Sequence, residues 1–342
     1  MKFSLFAHME RVSGSQSHAQ LYSELRALVK LADQGGMHAF WTGEHHGMEF
    51  TITPNPFHVL IDMAHHSQNL RLGTGTLVAP FWHPIKLAGE AALADLITEG
   101  RIELGLARGA YQFEYERLSP GLDAWQAGQK LRELAPLLPQ LWQGDCVSTG
   151  EFYPFAKTTA CPRPYKDDHI PIWIAARDSS SHAFALQQGF NVQVTPLWQG
   201  DEEIKDLIQK YKTACAEQKK SSKIMLLQHA FIAENQRELE TAGQAFSTFY
   251  NYFGAWFKNE RPISQGRIAT LSQEEIAQNE MMSAHNLTQN LLIGEIGQVV
   301  ERLKSYQAMG YDEYALWLDN GLPFDVKQQQ LKRFIDQVLP HF

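Results

Sequence analysis

Short apolar runs alternate with longer amphipathic stretches along the chain. Lys2–Ala7 reads as a strand. Leu21, Leu25, Leu28, Val29 and Ala32 then recur at helical spacing. Ala39–Gly43 reads as a second strand, followed by a helix from about Pro54 to Ser67. Pro56 suits its first turn, where a missing N–H costs nothing. Leu70–Ala79 is a third strand, Pro84 opens a helix to about Ile97, and Arg101–Ala107 is a fourth strand. The same alphabet predicts a helix near Asp123–Trp142, strand Pro171–Ala176, helix Ser179–Gln188, strand Phe190–Thr195 and helix Asp201–Glu217. Strand Ile224–Ile232 and a long helix near Gln236–Lys258 follow. Ile296, Val299, Val300 and Leu303 mark another helix, Glu313–Leu318 an eighth strand, and Phe324–Val338 the last helix.

Eight strands alternating with about eight helices imply parallel pairing through crossover helices. That number favours a closed (β/α)₈ TIM barrel, with residues 1–342 as one domain. Three stretches exceed a minimal barrel: 111–122, 145–168 and 259–290. The last is long, polar and punctuated by Pro and Gly. It suits a mobile lid and equally a loose surface insertion.

Composition narrows the function classes. Thirty Lys+Arg against 38 Asp+Glu give a formal net charge of −8. An acidic balance argues against a nucleic-acid binder. No segment approaches the roughly 20 apolar residues that span a bilayer, and Phe3–Ala7 is too short for the core of a signal peptide. The three cysteines, Cys146, Cys161 and Cys215, lie in no C-x-x-C arrangement. A reducing cytoplasm is the expected compartment.

In a barrel of this type the chemistry sits at the C-terminal strand ends. Strand two ends in Gly43-Glu44-His45-His46. A histidine there can move protons near neutral pH; two histidines satisfied by carbonyls are the rival reading. Adjacent residues of an extended segment diverge, so at most one of the pair faces a pocket. A metal site lacks a third ligand, and none is expected. Strand four ends in Arg108-Gly109, suited to a bidentate grip on a phosphate. Strand five ends in Arg177-Asp178-Ser179-Ser180-Ser181, where a helix N-terminus adds N–H donors; Asp178 also reads as a plain N-cap. Two Arg-bearing ends side by side point to one shared phosphate. Gly73-Thr74-Gly75 lacks the third glycine of a dinucleotide fingerprint and suggests the close approach of something flat. Trp41, Phe50, Phe57, Phe81, Trp82, Tyr111, Phe113 and Tyr115 fall in or near the first four strand tops. They line either core or an apolar pocket, with Tyr111 and Phe113 the substrate-side candidates.

These residues also carry a family resemblance. GEHH at 43–46, NP at 55–56, LRLGTGTLVAPFWHP at 70–84 and GRIELGLARG at 100–109 match in order, as do IGEIGQVVERLKSYQAMGYDEYALW at 293–317 and GLPFD at 321–325. The chain resembles the bacterial luciferase-like flavin-dependent monooxygenases, and their α-subunit branch most. The resemblance implies FMN at the C-terminal face of the barrel and a catalytic role for His45, with Glu44 orienting it. It implies a phosphate grip by Arg108, Arg177, Asp178 and Ser181, and a non-prolyl cis peptide at Gly75–Thr76 against the flavin ring. Two departures stand out: Ala107 replaces a reactive cysteine, and Arg177-Asp178 replaces a glutamate and a serine. The stretch 259–290 matches the active-site loop of the catalytic subunit.

The implied activity uses reduced FMN from a separate flavin reductase. With O₂ it would form a C4a-hydroperoxyflavin that oxygenates an apolar carbonyl, an aldehyde or ketone. The alternatives are an F420-dependent hydride-transfer oxidoreductase and a non-catalytic flavin-binding protein. The resemblance further implies a homodimer.

Overall fold

A computed structural model describes residues 1–11, 14–166, 169–319 and 321–342. Eight parallel strands close a barrel: β1 (Lys2–Phe6), β2 (Ala39–Thr42), β3 (Arg71–Thr74), β4 (Ile102–Ala107), β5 (Ile172–Ala175), β6 (Asn191–Val194), β7 (Ile224–Ile232) and β8 (Glu313–Trp317). Each pairs with its successor, β8 pairs with both β7 and β1, and helices fill the crossovers. This is the (β/α)₈ TIM barrel expected from the alternation.

Local chemistry sets the helix boundaries. Ser17, Asn55, Asp178 and Asn235 accept N-terminal backbone N–H groups of the helices they precede. Two predicted elements break. Strand three is interrupted after Thr74 and resumes as the short strand Leu77–Val78, with the cis Gly75–Thr76 peptide between the two. The helix near Asp123–Trp142 divides into Ala124–Leu134 and Leu137–Gln143 around Pro136, whose ring disfavours continuous helical hydrogen bonding.

The lower barrel interior is polar but satisfied. The buried Glu313 carboxylate accepts from Ser4 Oγ at 2.5 Å and from the Trp41 indole N–H at 2.9 Å. Burial nonetheless pushes its pKa up. Glu103 accepts from Trp173 Nε1 at 2.6 Å and pairs with Arg71. The Trp41 and Trp173 rings meet edge-on at 5.4 Å. A Cβ on Gly73 would lie 2.0 Å from the Trp41 ring. The flat object that approaches this glycine is therefore the protein's own indole.

The insertions are structured where described. Residues 111–122 carry the helix Gln112–Leu118. Residues 145–168 carry an antiparallel pair, Cys146–Ser148 with Phe155–Thr158; positions 167 and 168 lie outside the described residues. Residues 259–290 form the pair Ile263–Ser264 with Arg267–Ile268 and the helices Gln273–Gln278 and Ala284–Asn290. This insertion is tied to the long helix Gln236–Lys258: the carbonyl of Met282 accepts from Ser247 Oγ at 2.7 Å, and Asn279 Nδ2 donates to Asn251 Oδ1 at 2.8 Å.

Candidate active site

Strand two delivers its last residues to the barrel rim through a tight passage. A Cβ on Gly43 would stand 2.1 Å from His8 Cε1, so glycine is what lets the His8 ring sit there. The Glu44 carboxylate, fully buried, accepts from Val78 N at 2.8 Å and Trp82 Nε1 at 2.9 Å, and lies 2.6 Å from His46 Nε2. His45 turns the other way. Its Nδ1 is 3.0 Å from Glu114 Oε2, and the other oxygen of Glu114 accepts from His46 N at 2.7 Å. The group that orients His45 is thus Glu114, and the expectation for Glu44 is corrected: it braces His46 and the tail of strand three. An ionised carboxylate only accepts, so His45 Nδ1 carries the proton and its Nε2 is left to accept or, once protonated, to donate.

The two histidines diverge, as adjacent residues should. The His45 ring lies 5.0 Å from Tyr111 and 5.4 Å from His8, whereas His46 meets Phe81 at 5.8 Å. Burial alone would lower the His46 pKa. The bond to Glu44 and the charges of Glu44 and Glu114 outweigh it and raise the value. Tyr111 is buried against His45 and Phe257. Phe113 is packed away from the histidine, with Arg117 over its ring at 3.8 Å and Trp256 at 5.3 Å.

The cis Gly75–Thr76 peptide lies beside these groups. Gly75 N donates to Thr42 O at 2.7 Å, and Thr76 O accepts from Glu44 N at 2.9 Å. Both residues are only partly buried.

The strand-four and strand-five ends do not meet as expected. The register Leu106 to Ile174 places Arg108 beside the end of β5. Its guanidinium is exposed and donates to Ala124 O at 3.3 Å; among the described residues no carboxylate pairs with it. Arg177 turns towards the segment after β6, donating to Gln199 Oε1 at 2.5 Å and Glu203 Oε1 at 2.6 Å. The arginine at the following helix start is instead Arg132, which donates to Ser180 Oγ at 2.9 Å. Asp178 is the N-cap: it accepts from Ser181 N at 2.9 Å, Ser180 Oγ at 2.6 Å and Ser181 Oγ at 2.7 Å. Burial would raise its pKa, but these bonds prevail and hold it down at about 2. Arg177 is thus engaged by Gln199 and Glu203 and Asp178 by its own helix start, while Arg108 is the exposed guanidinium at the end of β4.

Several rim residues escaped the sequence reading. His229 Nε2 lies 2.6 Å from Asp319 O, so it donates there. Its Nδ1 then accepts from the Tyr250 hydroxyl at 2.7 Å. The ring stacks on Trp317 at 4.1 Å, and burial pushes its pKa down to about 3. His8 is lowered by burial, then by His45 and His229. Asp319 Oδ1 accepts from Lys327 Nζ at 2.9 Å, an ion pair with both partners buried. The signal was present: the strand-end rule applies to β1 and β8 as well, and leads to His8 and Asp319. Glu114 had no such signal, since an insertion carries it. Above the rim, the helix Gln236–Lys258 presents Phe249, Tyr250, Tyr252, Phe253, Trp256 and Phe257. Phe50 meets Phe249, Tyr252 and Phe253 at 5.5–5.6 Å.

Residues 1–313 match the family model described as luciferase-like monooxygenase. A curated relative, the oxygenase component of flavin-dependent trigonelline monooxygenase from Acinetobacter baylyi, is 54% identical over 344 residues, covering 100% of this chain and 96% of its own. An alkanal monooxygenase alpha chain of Photorhabdus luminescens is 26% identical over about half of each chain. Among solved structures, the monooxygenase RslO1 from Streptomyces bottropensis superposes with a TM-score of 0.84 at 23% identity, over 100% of this chain and 99% of its own. The oxygenating constituent of 3,6-diketocamphane monooxygenase from Pseudomonas putida, in complex with FMN, gives 0.78 at 19% identity, over 99% and 98%. Rim geometry and whole-length similarity agree: this chain belongs to the luciferase-like monooxygenases and is an oxidoreductase of that family.

Proposed function

We propose that the chain is the oxygenase component of a two-component, flavin-dependent monooxygenase that takes reduced FMN from a separate reductase and acts on a small N-methylpyridinium carboxylate of the trigonelline class. The observation that carries this reading is the 54% identity, across the whole chain, to the trigonelline oxygenase component. The residues fit the cofactor. Arg108 offers an exposed guanidinium free of any carboxylate pair among the described residues, suited to a phosphate tail. The partly exposed Gly75 and Thr76 offer a backbone surface for a flat ring.

Reduced flavin, when bound, supplies the reaction with O₂ from which one oxygen atom is transferred to the substrate. The chain's own part is proton control and exclusion of water. His45, fixed by Glu114, presents Nε2 as the site that holds or releases a proton. Tyr111, buried beside the His45 ring at 5.0 Å, covers one side of it. The folded insertion 259–290 braces the helix from outside.

An apolar aldehyde or ketone is the second reading, favoured by the aromatic character of the same wall. We further propose a homodimer in the cytoplasm. The helix Pro84–Ile97 leaves Leu93, Leu96 and Ile97 substantially exposed, a patch that a second copy would bury. No helix among the described residues is long and apolar enough to cross a membrane.

The test supplies purified chain with a flavin reductase, NADH and FMN. Oxygen consumption coupled to trigonelline, with one oxygen atom recovered in the product, is the expected result. Uptake coupled to aldehydes or ketones instead would favour the second reading. Hydride transfer with F420 and no oxygen uptake, or no turnover with any of these, would contradict both.

A further inference from the structure

The insertion after β4 brings the short helix Gln112–Leu118 back to the rim, and two consecutive residues of it reach the two halves of the site. Seven residues form no stable helix alone; side chains fix this one. The Tyr115 ring meets Phe81 edge-on at 6.1 Å, and Arg117 lies over the Phe113 ring. Tyr115, buried, donates its hydroxyl proton to Arg108 O at 2.7 Å, with Gly109 O at 3.1 Å beside it. Gly109 takes φ +93°, and a Cβ there would stand 2.9 Å from Val78 Cγ1 and 3.1 Å from the Tyr115 hydroxyl oxygen. Glycine is what lets the phenol sit on this turn. The Arg108 guanidinium is exposed, yet the backbone that aims it is held from the helix.

Glu114, 1% exposed, has both oxygens engaged: Oε1 accepts from His46 N at 2.7 Å, and Oε2 lies 3.0 Å from His45 Nδ1. The first contact fixes the polarity of the second. A backbone N–H only donates, so the atom facing His46 N must be an acceptor. A carboxylate accepts at both ends, whereas an amide of the same shape accepts at one and donates at the other. In place of Glu114 its oxygen would go to His46 N, and its NH₂ would face His45 Nδ1. The ring would then accept at Nδ1 and carry its proton on Nε2, the reverse of the arrangement a carboxylate imposes.

We infer that the helix Gln112–Leu118 positions both halves of the site: Glu114 holds His45 with Nε2 free for the reaction, and Tyr115 sets the backbone from which Arg108 reaches the flavin phosphate. Neither touches the reacting atoms; they are positioning residues that act through His45 and Arg108. This rests on the function proposed above and adds the residues that hold its proton-handling and its anchoring group in place.

The experiment pairs Glu114→Gln with Tyr115→Phe in the full chain. Imidazole nitrogen NMR of the ligand-free protein, with His45→Ala to assign the signal, reads the tautomer at a pH where the ring is neutral. FMN titration reads the anchor. Wild type should carry the proton on Nδ1. Glu114→Gln should move it to Nε2 and cut kcat about a hundredfold or more, with FMN affinity unchanged. Glu114→Asp, again an acceptor at both ends, should keep the proton on Nδ1 and recover part of the rate. Tyr115→Phe should weaken FMN binding about threefold to tenfold, the worth of one hydrogen bond, with the wild-type tautomer. A Glu114→Gln protein with its proton still on Nδ1 overturns the Glu114 assignment. If that variant does not fold, Glu114→Asp decides, and a proton on Nε2 there refutes it. A Tyr115→Phe protein with wild-type FMN affinity overturns the Tyr115 assignment. Should wild type bind no FMN, the functional reading fails and the Tyr115 assignment with it, while the tautomer still decides Glu114.

Discussion

The same barrel buries carboxylates at both ends of its interior, and it treats them oppositely. In the lower interior Glu313 and Glu103 are matched by Ser4, Trp41, Trp173 and Arg71. At the rim, among the described residues, His8 Nδ1 has no hydrogen-bond partner, and the buried Glu10 carboxyl has nothing stronger than the Trp317 indole. Satisfied polar groups fix one packing arrangement. Unsatisfied ones are expensive in a finished core and become useful where a ligand completes them. The lower interior is closed on itself, whereas the rim keeps buried polar groups without full hydrogen bonding. Glutamate at both levels shows that burial alone does not decide this; the partners do.

The largest expected effect falls at the rim. His45→Ala should cut kcat by roughly 10²–10⁴-fold, the usual worth of a proton-transfer group, while leaving the melting temperature and FMN affinity near wild type. Normal turnover would remove His45 from the mechanism. Gly73→Ala probes the lower interior. Its Cβ would stand 2.0 Å from the Trp41 ring, and overpacking of that kind should cost about 3 kcal/mol of stability in chemical denaturation. An unperturbed denaturation midpoint would show that the indole has room to spare.

Acid should separate the two levels next. His229 and His8 are held neutral by burial, with folded pKa values below the free value of 6.5. The unfolded chain therefore takes up their protons first. The stability they contribute is full above about pH 6.5 and is lost as pH falls from there towards 3. Melting temperature measured from pH 7 to pH 4 should fall less in His229→Gln than in wild type. Parallel curves would exclude the rim histidines as the acid-labile element. The smallest effect is expected at Asp178. Its replacement by Ala should cost about 1 kcal/mol, as for other N-caps, and leave FMN binding intact; a large loss of FMN affinity would restore it as a ligand.

The frame of the molecule was readable because its signals are local. Eight apolar runs with helical spacing between them define the barrel, and Pro56 and Pro84 mark helix starts. The strand-end rule then reached His45 and Arg108 without knowledge of contacts. What it could not reach was pairing across long separations. Glu114 holds His45 from 69 positions away and Glu203 captures Arg177 from 26 away, and nothing in the spacing encodes either. Arg177 and Arg108 are alike in sequence context, but of the two only Arg177 pairs with a carboxylate among the described residues. Gly73 was legible as a close approach, whereas the identity of the approaching ring, Trp41, depended on which way β2 faces. Glu10 was unreadable for a related reason: its inward turn is set by Asp319, at the far end of the chain.

Arg108 is proposed to anchor flavin at this rim. Titration of FMN into the protein, read by quenching of flavin or tryptophan fluorescence, tests it most directly. Wild type should bind saturably and Arg108→Ala at least about tenfold more weakly, the loss of a charge-assisted phosphate contact, with an unchanged melting temperature. An Arg108→Ala protein that binds FMN as tightly as wild type would contradict it.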